Sequence, residues 1–312
     1  MYIIERVLRL RREPVVTASG FARWTQSELV PDEGIAEVRA HPRFAQAMRL
    51  SVQNALTLYE TNPIVRATTN DTGRALAAVV ALYLHASGGL TAGRLQTLCE
   101  EAGIASPGRV LAILWRLRLL GYIAVSPVQA DRRVRLYEPT PLMHDAFRTR
   151  LQGELAALAL LEATAVDALA RFGDPVFFNA FIAKMGEGLL AAGKRHQPEK
   201  SKLDLFSERT AGLPILYTLL LGGTADDTFP PRGPINVVVA EASRRFSVSR
   251  THVLRLFRAA EEAGLVRRDA SETTVFLEET LRREVERFYA VTYIGFSLFA
   301  STALESSVIA QI

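Results

Sequence analysis

Residues 248–268 read VSRTHVLRLFRAAEEAGLVRR, and the fold is decided by how this stretch is read. Val253, Leu256, Phe257 and Ala260 recur at spacings of three and four, so they share one face of a helix. Ser249 stands just before that helix, where a hydroxyl caps the first free amides. Gly264 stands just after it, where helices end on a left-handed residue that glycine adopts without strain. Beyond the glycine, LVRRDASETTVFLEE alternates about a polar turn and reads as a two-stranded hairpin.

The same pattern occurs earlier in the chain. ASPGRVLAILWRLRLLGYIAV, from Ala105, aligns with it at a constant offset of 143. That offset pairs Ser106 with Ser249, Val110 with Val253, Ile113 with Leu256, Leu117 with Ala260 and Gly121 with Gly264. Upstream, ALYLHASGG (from Ala81) faces ILYTLLLGG (from Ile215) at an offset of 134, so the second copy holds about nine extra residues. TADDTFPPRGP, rich in Pro, Gly and Asp, is the loop that takes them. Each copy reads as three helices and a hairpin. In the first the helices are expected over 74–86, 91–102 and 107–120, with Pro107 suited to a first helical turn. In the second, 209–221 and 235–246 precede the helix that opens after Ser249. The first hairpin is YIAVSPVQADRRVRLYEPT.

Helix–turn–helix followed by a hairpin resembles the winged helix-turn-helix domain of bacterial transcription regulators. SVSRTHVLRLFRAAEEAGLV is similar to their turn and recognition helix, and ADRRVRLYEPTP resembles the wing of MarR-like repressors at Asp131, Arg133, Leu136 and Thr140. Each resemblance covers about 70 residues. It implies a mainly α chain with tandem winged modules, short β-hairpin wings, and extra N-terminal, linker and C-terminal helices. The expected division is a helical extension over 1–72, a first module plus long helix over 73–172, and a helical connector and linker over 173–206. A second module over 207–280 and an apolar helix over 281–312 complete it. The resemblance also implies double-stranded DNA as partner, a homodimer, and a small-molecule effector of unknown identity. No cofactor is expected.

The 312 residues carry a formal net charge of only +4, which excludes a general polycation, so a nucleic-acid surface must come from local charge. Residues 91–140 hold seven arginines against four acids, and residues 235–270 again hold seven against four. Each segment is therefore +3, and the rest of the chain nets −2. All fourteen basic side chains there are Arg, whose planar fork suits phosphates and guanine edges. In the second module Arg250, Thr251, His252 and Arg255 occupy the first turns of the recognition helix, with Ser249 and the helix N-terminus near a phosphate. Arg244 and Arg245 end the preceding helix, and Arg267 and Arg268 start the wing, as candidate backbone contacts. In the first module the candidates are Ser106, Arg109 and Arg116, with Arg132, Arg133 and Arg135 in the wing near a minor groove. The helix over 107–120 is apolar nearly all round, which predicts burial on more than one side.

Phe44, Met48, Ala55, Leu56 and Tyr59 form a helical stripe within 42–60 that reads as core or dimer interface. Residues 141–172 read as one long helix which, with 281–312, supplies the expected dimer elements. Asp174-Pro175 starts another helix, and Asp71 caps the first module. Phe177, Phe178 and Phe181 on that helix read as core, with an effector pocket as the alternative. The polar stretch 193–209 reads as a solvated connector in which Lys194, Arg195, Lys200 and Lys202 are further phosphate candidates. Phe288 to Leu304 is uncharged but holds Tyr, Ser, Thr and Gly, so a buried or dimer-forming helix fits better than a membrane span.

Cys99 is the single cysteine, which excludes an intrachain disulfide framework and any zinc site built on two cysteines, and fits a reducing cytoplasm. The first residues, MYIIERVLRLRREPVV, do not read as an export signal. There is no Gly-rich phosphate loop, no G-x-S-x-G elbow and no metal-spaced histidine pair, so no enzyme is expected. Two rival readings are a replication-initiator-type DNA-binding protein and a winged-helix interaction scaffold that ignores DNA.

Overall fold

The computed structural model describes residues 30–62, 65–66, 72–127, 135–193, 201–224, 227–270 and 273–309. Asp71, Asp131, Arg132, Arg133, Lys194, Arg195 and Lys200 lie outside the described residues. The described chain is mainly helical, with two small antiparallel sheets. In order it runs α1 (Asp32–Arg39), α2 (Phe44–Thr61), α3 (Thr72–Ala86), β1 (Leu90–Thr91), α4 (Ala92–Glu101) and α5 (Pro107–Leu119). Then come β2 (Ile123–Val125), β3 (Leu136–Pro139), α6 (Pro141–Leu158), α7 (Ala163–Arg171), α8 (Pro175–Gly193) and α9 (Asp204–Ser207). The chain ends with α10 (Gly212–Leu221), β4 (Ile235–Asn236), α11 (Val239–Arg245), α12 (Arg250–Glu262), β5 (Val266–Arg268), β6 (Thr274–Leu277) and α13 (Glu279–Ile309).

The order helix, strand, helix, helix, strand, strand, helix thus occurs twice, from α3 to α6 and from α10 to α13. Both sheets have the same topology, β1-β3-β2 and β4-β6-β5. Their registers match as well. Ile123 pairs with Pro139 and Val125 with Tyr137 in one, and Val266 pairs with Leu277 and Arg268 with Val275 in the other. The helix ends agree to the hydrogen bond. Gly121 (φ 77°) and Gly264 (φ 63°) both turn left-handed. Tyr122 N donates to Leu117 O at 2.9 Å and Leu265 N to Ala260 O at 2.8 Å, closing equivalent C-terminal turns. The two copies differ where α10 meets β4, a connection of 222–234 against only 87–89 in the first copy. Asp227 ties that longer loop, accepting from the backbone amides of Thr228, Arg232 and Gly233.

Several boundaries depart from the sequence expectation. The helix expected over 235–246 starts as strand, because Ile235 and Asn236 pair with Val275 and Thr274, and the β-branched run after Asn236 suits extended backbone. The one long helix expected over 141–172 is two, α6 and α7. At Glu162 the backbone is extended (φ −149°, ψ 149°) and its carboxylate accepts from Ser297 of α13 at 3.0 Å. The polar stretch ending at 209 is not a solvated connector throughout: Leu203, Phe206 and Ser207 are buried. Phe206 is among the fully enclosed side chains, so its apolar burial outweighs the polar company it keeps in sequence.

One continuous apolar core runs through both copies. The 31-residue α13, about 46 Å long at 1.5 Å per residue, is its spine, with α8, α1 and α7 packed along it. α8 also crosses α3, and a Cβ at Gly186 would lie 2.5 Å from the Tyr83 side chain, so only glycine permits that approach. The uncharged run of α13 is buried inside this chain, from Tyr289 to Ile294 without interruption. α6 and α13 therefore place apolar faces on the protomer's own core. Among the described residues no helix is long and apolar enough to cross a membrane.

Candidate nucleic-acid interface

α12 buries Val253, Leu256, Phe257 and Ala260, the four residues expected from the spacing. Ser249 takes the N-cap position in extended backbone, and its side chain accepts from His252 N at 3.1 Å. With one face buried, Arg250, Thr251, Arg255 and Arg258 are left exposed on the other side. Arg258, one turn beyond Arg255, belongs to this surface and was not singled out from sequence. It could have been found there, since 251, 255 and 258 share a face at helical spacing. Exposed Arg244 at the end of α11 and exposed Arg267 on β5 flank the helix. Arg267 lies over the Phe276 ring at 4.2 Å and 3.6 Å from Glu278, which holds its guanidinium near the hairpin.

Three expected contacts are committed elsewhere. His252 Nε2 lies 2.8 Å from the carbonyl of Thr210, so the imidazole braces α12 against the segment before α10. Arg268 has a side chain only 7% exposed; its Nε donates to Glu261 Oε2 at 2.9 Å, and its amide donates to Glu261 Oε1 at 3.0 Å. A guanidinium held that way is a strut between hairpin and helix and not a phosphate contact, which corrects its assignment. Arg245 is exposed but paired with Glu60 of α2 and set over Phe246. The pairing follows from the docking of α11 against α2, where Tyr59 and Phe246 meet edge-on at 6.0 Å. The Arg268 hydrogen bonds are the largest influence on Glu261, and its carboxyl sits below its usual value.

In the first copy, α5 buries Val110, Ile113, Leu114 and Leu117, position for position the same face. Ser106 occupies the N-cap, but its side chain makes no cap hydrogen bond. Ser106, Arg109 and Arg116 are exposed, and so is Arg135 at the base of the hairpin; Arg132 and Arg133 fall outside the described residues. The outward face differs in chemistry from that of α12. Where α12 shows Thr251, Arg255, Arg258 and Glu262, α5 shows Gly108, Ala112, Trp115 and Leu119. Trp115 is 62% and Leu119 87% exposed, with Arg118 over the Trp115 ring at 5.4 Å. The expectation that α5 is buried on more than one side is therefore not met within the chain. Its apolar second face is open.

Phe177, Phe178 and Phe181 are fully buried, each packed edge-on to Phe172 with centroids 5.2 to 6.1 Å apart. They are core. Space exists elsewhere, between α3, α6, α10 and α13, and is lined in part by Arg150, Glu154 and Tyr217. Among the described residues no cluster of His, Cys, Asp or Glu could hold a metal ion. Cys99 is buried, and burial pushes its thiol up to about 12. No family model, characterised protein or solved structure matches this chain.

Proposed function

We propose that the chain is a sequence-specific DNA-binding transcription regulator built on two winged helix-turn-helix modules, α3–α6 and α10–α13. The observation that carries this reading is the outer face of α12. An N-capped helix with a buried stripe on one side presents Arg250, Thr251, Arg255 and Arg258 on the other, between Arg244 and Arg267. A helix of this form enters the major groove with its N-terminal turns inward, where its arginines reach phosphates as well as base edges. The flanking arginines take backbone phosphates, and the 266–277 hairpin is the wing. The first module contributes Arg109, Arg116 and its wing arginines from a helix whose outer face is otherwise apolar. Two modules in one chain meet two half-sites without a second subunit, so a homodimer is not required by this mechanism.

The test is fluorescence anisotropy of labelled duplex at several salt concentrations. The five exposed arginines of the second module (244, 250, 255, 258 and 267), all engaging phosphates, give from that module alone a log–log salt slope of about −4.5 at roughly 0.9 per phosphate. Arg250→Ala/Arg255→Ala flattens it to about −2.7 on the same rule. Absence of binding at low salt sinks the proposal and favours an interaction scaffold using the open face of α5.

A further inference from the structure

A cavity of about 290 Å³ lies where the two copies meet. Its walls come from equivalent helices of each copy: α3 and α10, which open them, and α6 and α13, which follow their hairpins. Leu76, Leu151, Leu216 and Phe299 make most of it apolar. Polar side chains interrupt the walls at two places: Ser201, Asp204, Glu284 and Arg287 at one, where Ser201 Oγ donates to Glu284 Oε2 at 3.0 Å, and a cluster around Arg150 at the other. Arg150 Nη1 is paired with Glu154 Oε1, and Glu154 Oε2 accepts from Ser51 Oγ at 2.6 Å. Ser51 Oγ in turn lies 2.9 Å from Tyr293 Oη, and Tyr217 and Tyr289 hydrogen-bond to each other beside them. Glu154 is thus satisfied at both oxygens and only 5% exposed. Arg150, although it sits among the central helices, keeps 32% of its side chain exposed, because it faces the cavity. Among the described residues its Nε and Nη2 have no protein acceptor.

We infer that this cavity binds an uncharged amphipathic small molecule, with its apolar body against α3, α10 and α13 and one carbonyl-type oxygen accepting from Arg150. The volume is roughly twice the ~150 Å³ that takes a benzene, which sets a ligand of about ten to fourteen heavy atoms. The Arg150–Glu154 pair is already neutral, and that selects against an anion. A carboxylate would shed its water to enter an apolar chamber whose cation is compensated, whereas a carbonyl loses far less hydration. Because α3 and α10 each open one module, a molecule between them sets the distance between the modules. This effector role rests on the DNA-binding reading; the binding itself does not.

The experiment loads the full chain with the neutral fluorophore 1-aminonaphthalene, whose size falls within that range, and displaces it at pH 7.5 with 2-undecanone, decanoate or undecane, which match in size. The ketone is expected to displace the probe from wild type at a concentration at least about tenfold lower than decanoate or undecane does. In Arg150→Met/Glu154→Leu, which removes both charges together and so leaves neither buried alone, the advantage of ketone over undecane falls to within about threefold. Ala75→Phe, which puts a ring into the chamber from α3, removes the probe site. The inference is overturned if wild type does not take up the probe, if decanoate competes as well as the ketone, or if the double variant keeps the ketone preference. Duplex anisotropy with and without 2-undecanone separates the two readings. Ketone binding by a protein that binds no DNA refutes the regulator and leaves the cavity's chemistry standing. A DNA affinity unmoved by saturating ketone refutes the effector role alone.

Discussion

Arg268→Ala separates a structural arginine from the neighbouring ones proposed to face DNA. The substitution removes two guanidinium hydrogen bonds to Glu261 from a side chain 7% exposed. Glu261 is not stranded, since it keeps the bond from the backbone amide of residue 268 and is 30% exposed. The loss is therefore well below the 3–5 kcal/mol of a fully buried broken pair, and about 1–2 kcal/mol is expected. At roughly 2–4 °C per kcal/mol for a large domain, the midpoint falls by about 2–8 °C in calorimetry. The deficit is also pH-dependent. The Glu261 carboxyl is held below its ordinary value of 4.5, so its contribution is fully present above 4.5 and disappears as pH falls through the lower folded value. The gap between wild type and Arg268→Ala should shrink in acid. The DNA salt slope of Arg268→Ala should equal that of wild type, while Arg255→Ala/Arg258→Ala loses about 1.8 from it. Between 50 and 200 mM salt, affinity would drop about 500-fold for wild type and about 40-fold for that double variant on the same rule. An Arg268→Ala protein with an unchanged midpoint and a flattened slope would refute the assignment of this arginine as a strut.

Four other outcomes are expected. Ser249→Ala costs about 1 kcal/mol in urea unfolding through the lost bond to His252 N, whereas Ser106→Ala, which removes no cap bond, costs clearly less. Gly264→Ala costs about 1–2 kcal/mol although a Cβ there meets nothing within 4 Å, because the penalty is the left-handed backbone; equal stability would contradict that φ. Burial, then His85 and Arg148, hold His144 below the ordinary imidazole value of 6.5. Its contribution is complete above 6.5 and lost as pH falls below it, so His144→Gln should lessen the decline in stability on acidification from that point. Cys99 should resist 5,5′-dithiobis(2-nitrobenzoate) at pH 8 in the native protein and react on unfolding; fast native labelling would contradict its burial.

The repeated unit could be read from sequence because its signals are local. A cap, a three–four apolar stripe and a terminal glycine lie within 16 residues, and the buried faces of α5 and α12 followed directly. β1 and β4 escaped notice because a two-residue strand has no period to detect; each exists only by pairing with β3 or β6. Exposure of an arginine is likewise a tertiary property. Nothing in the sequence of 267 and 268 distinguishes them, but strand alternation turns one outward and the other onto Glu261. The Arg150–Glu154 pair left a fainter trace. Glu154 stands three residues after Leu151 and four before Leu158, a carboxylate on the apolar side of its helix, and only the Ser51 and Arg150 contacts explain it.

The unlike outer faces of α5 and α12 bear on the symmetry of the DNA the proposed regulator recognises. A dimer of identical subunits reads the same bases twice and so calls for an inverted repeat. Here two copies of one backbone carry different coats, Gly108, Ala112, Trp115 and Leu119 on one and Thr251, Arg255, Arg258 and Glu262 on the other. A single chain of this kind has a direction along the duplex, and its target would be a non-palindromic site with one half read closely and the other held mainly by shape and charge.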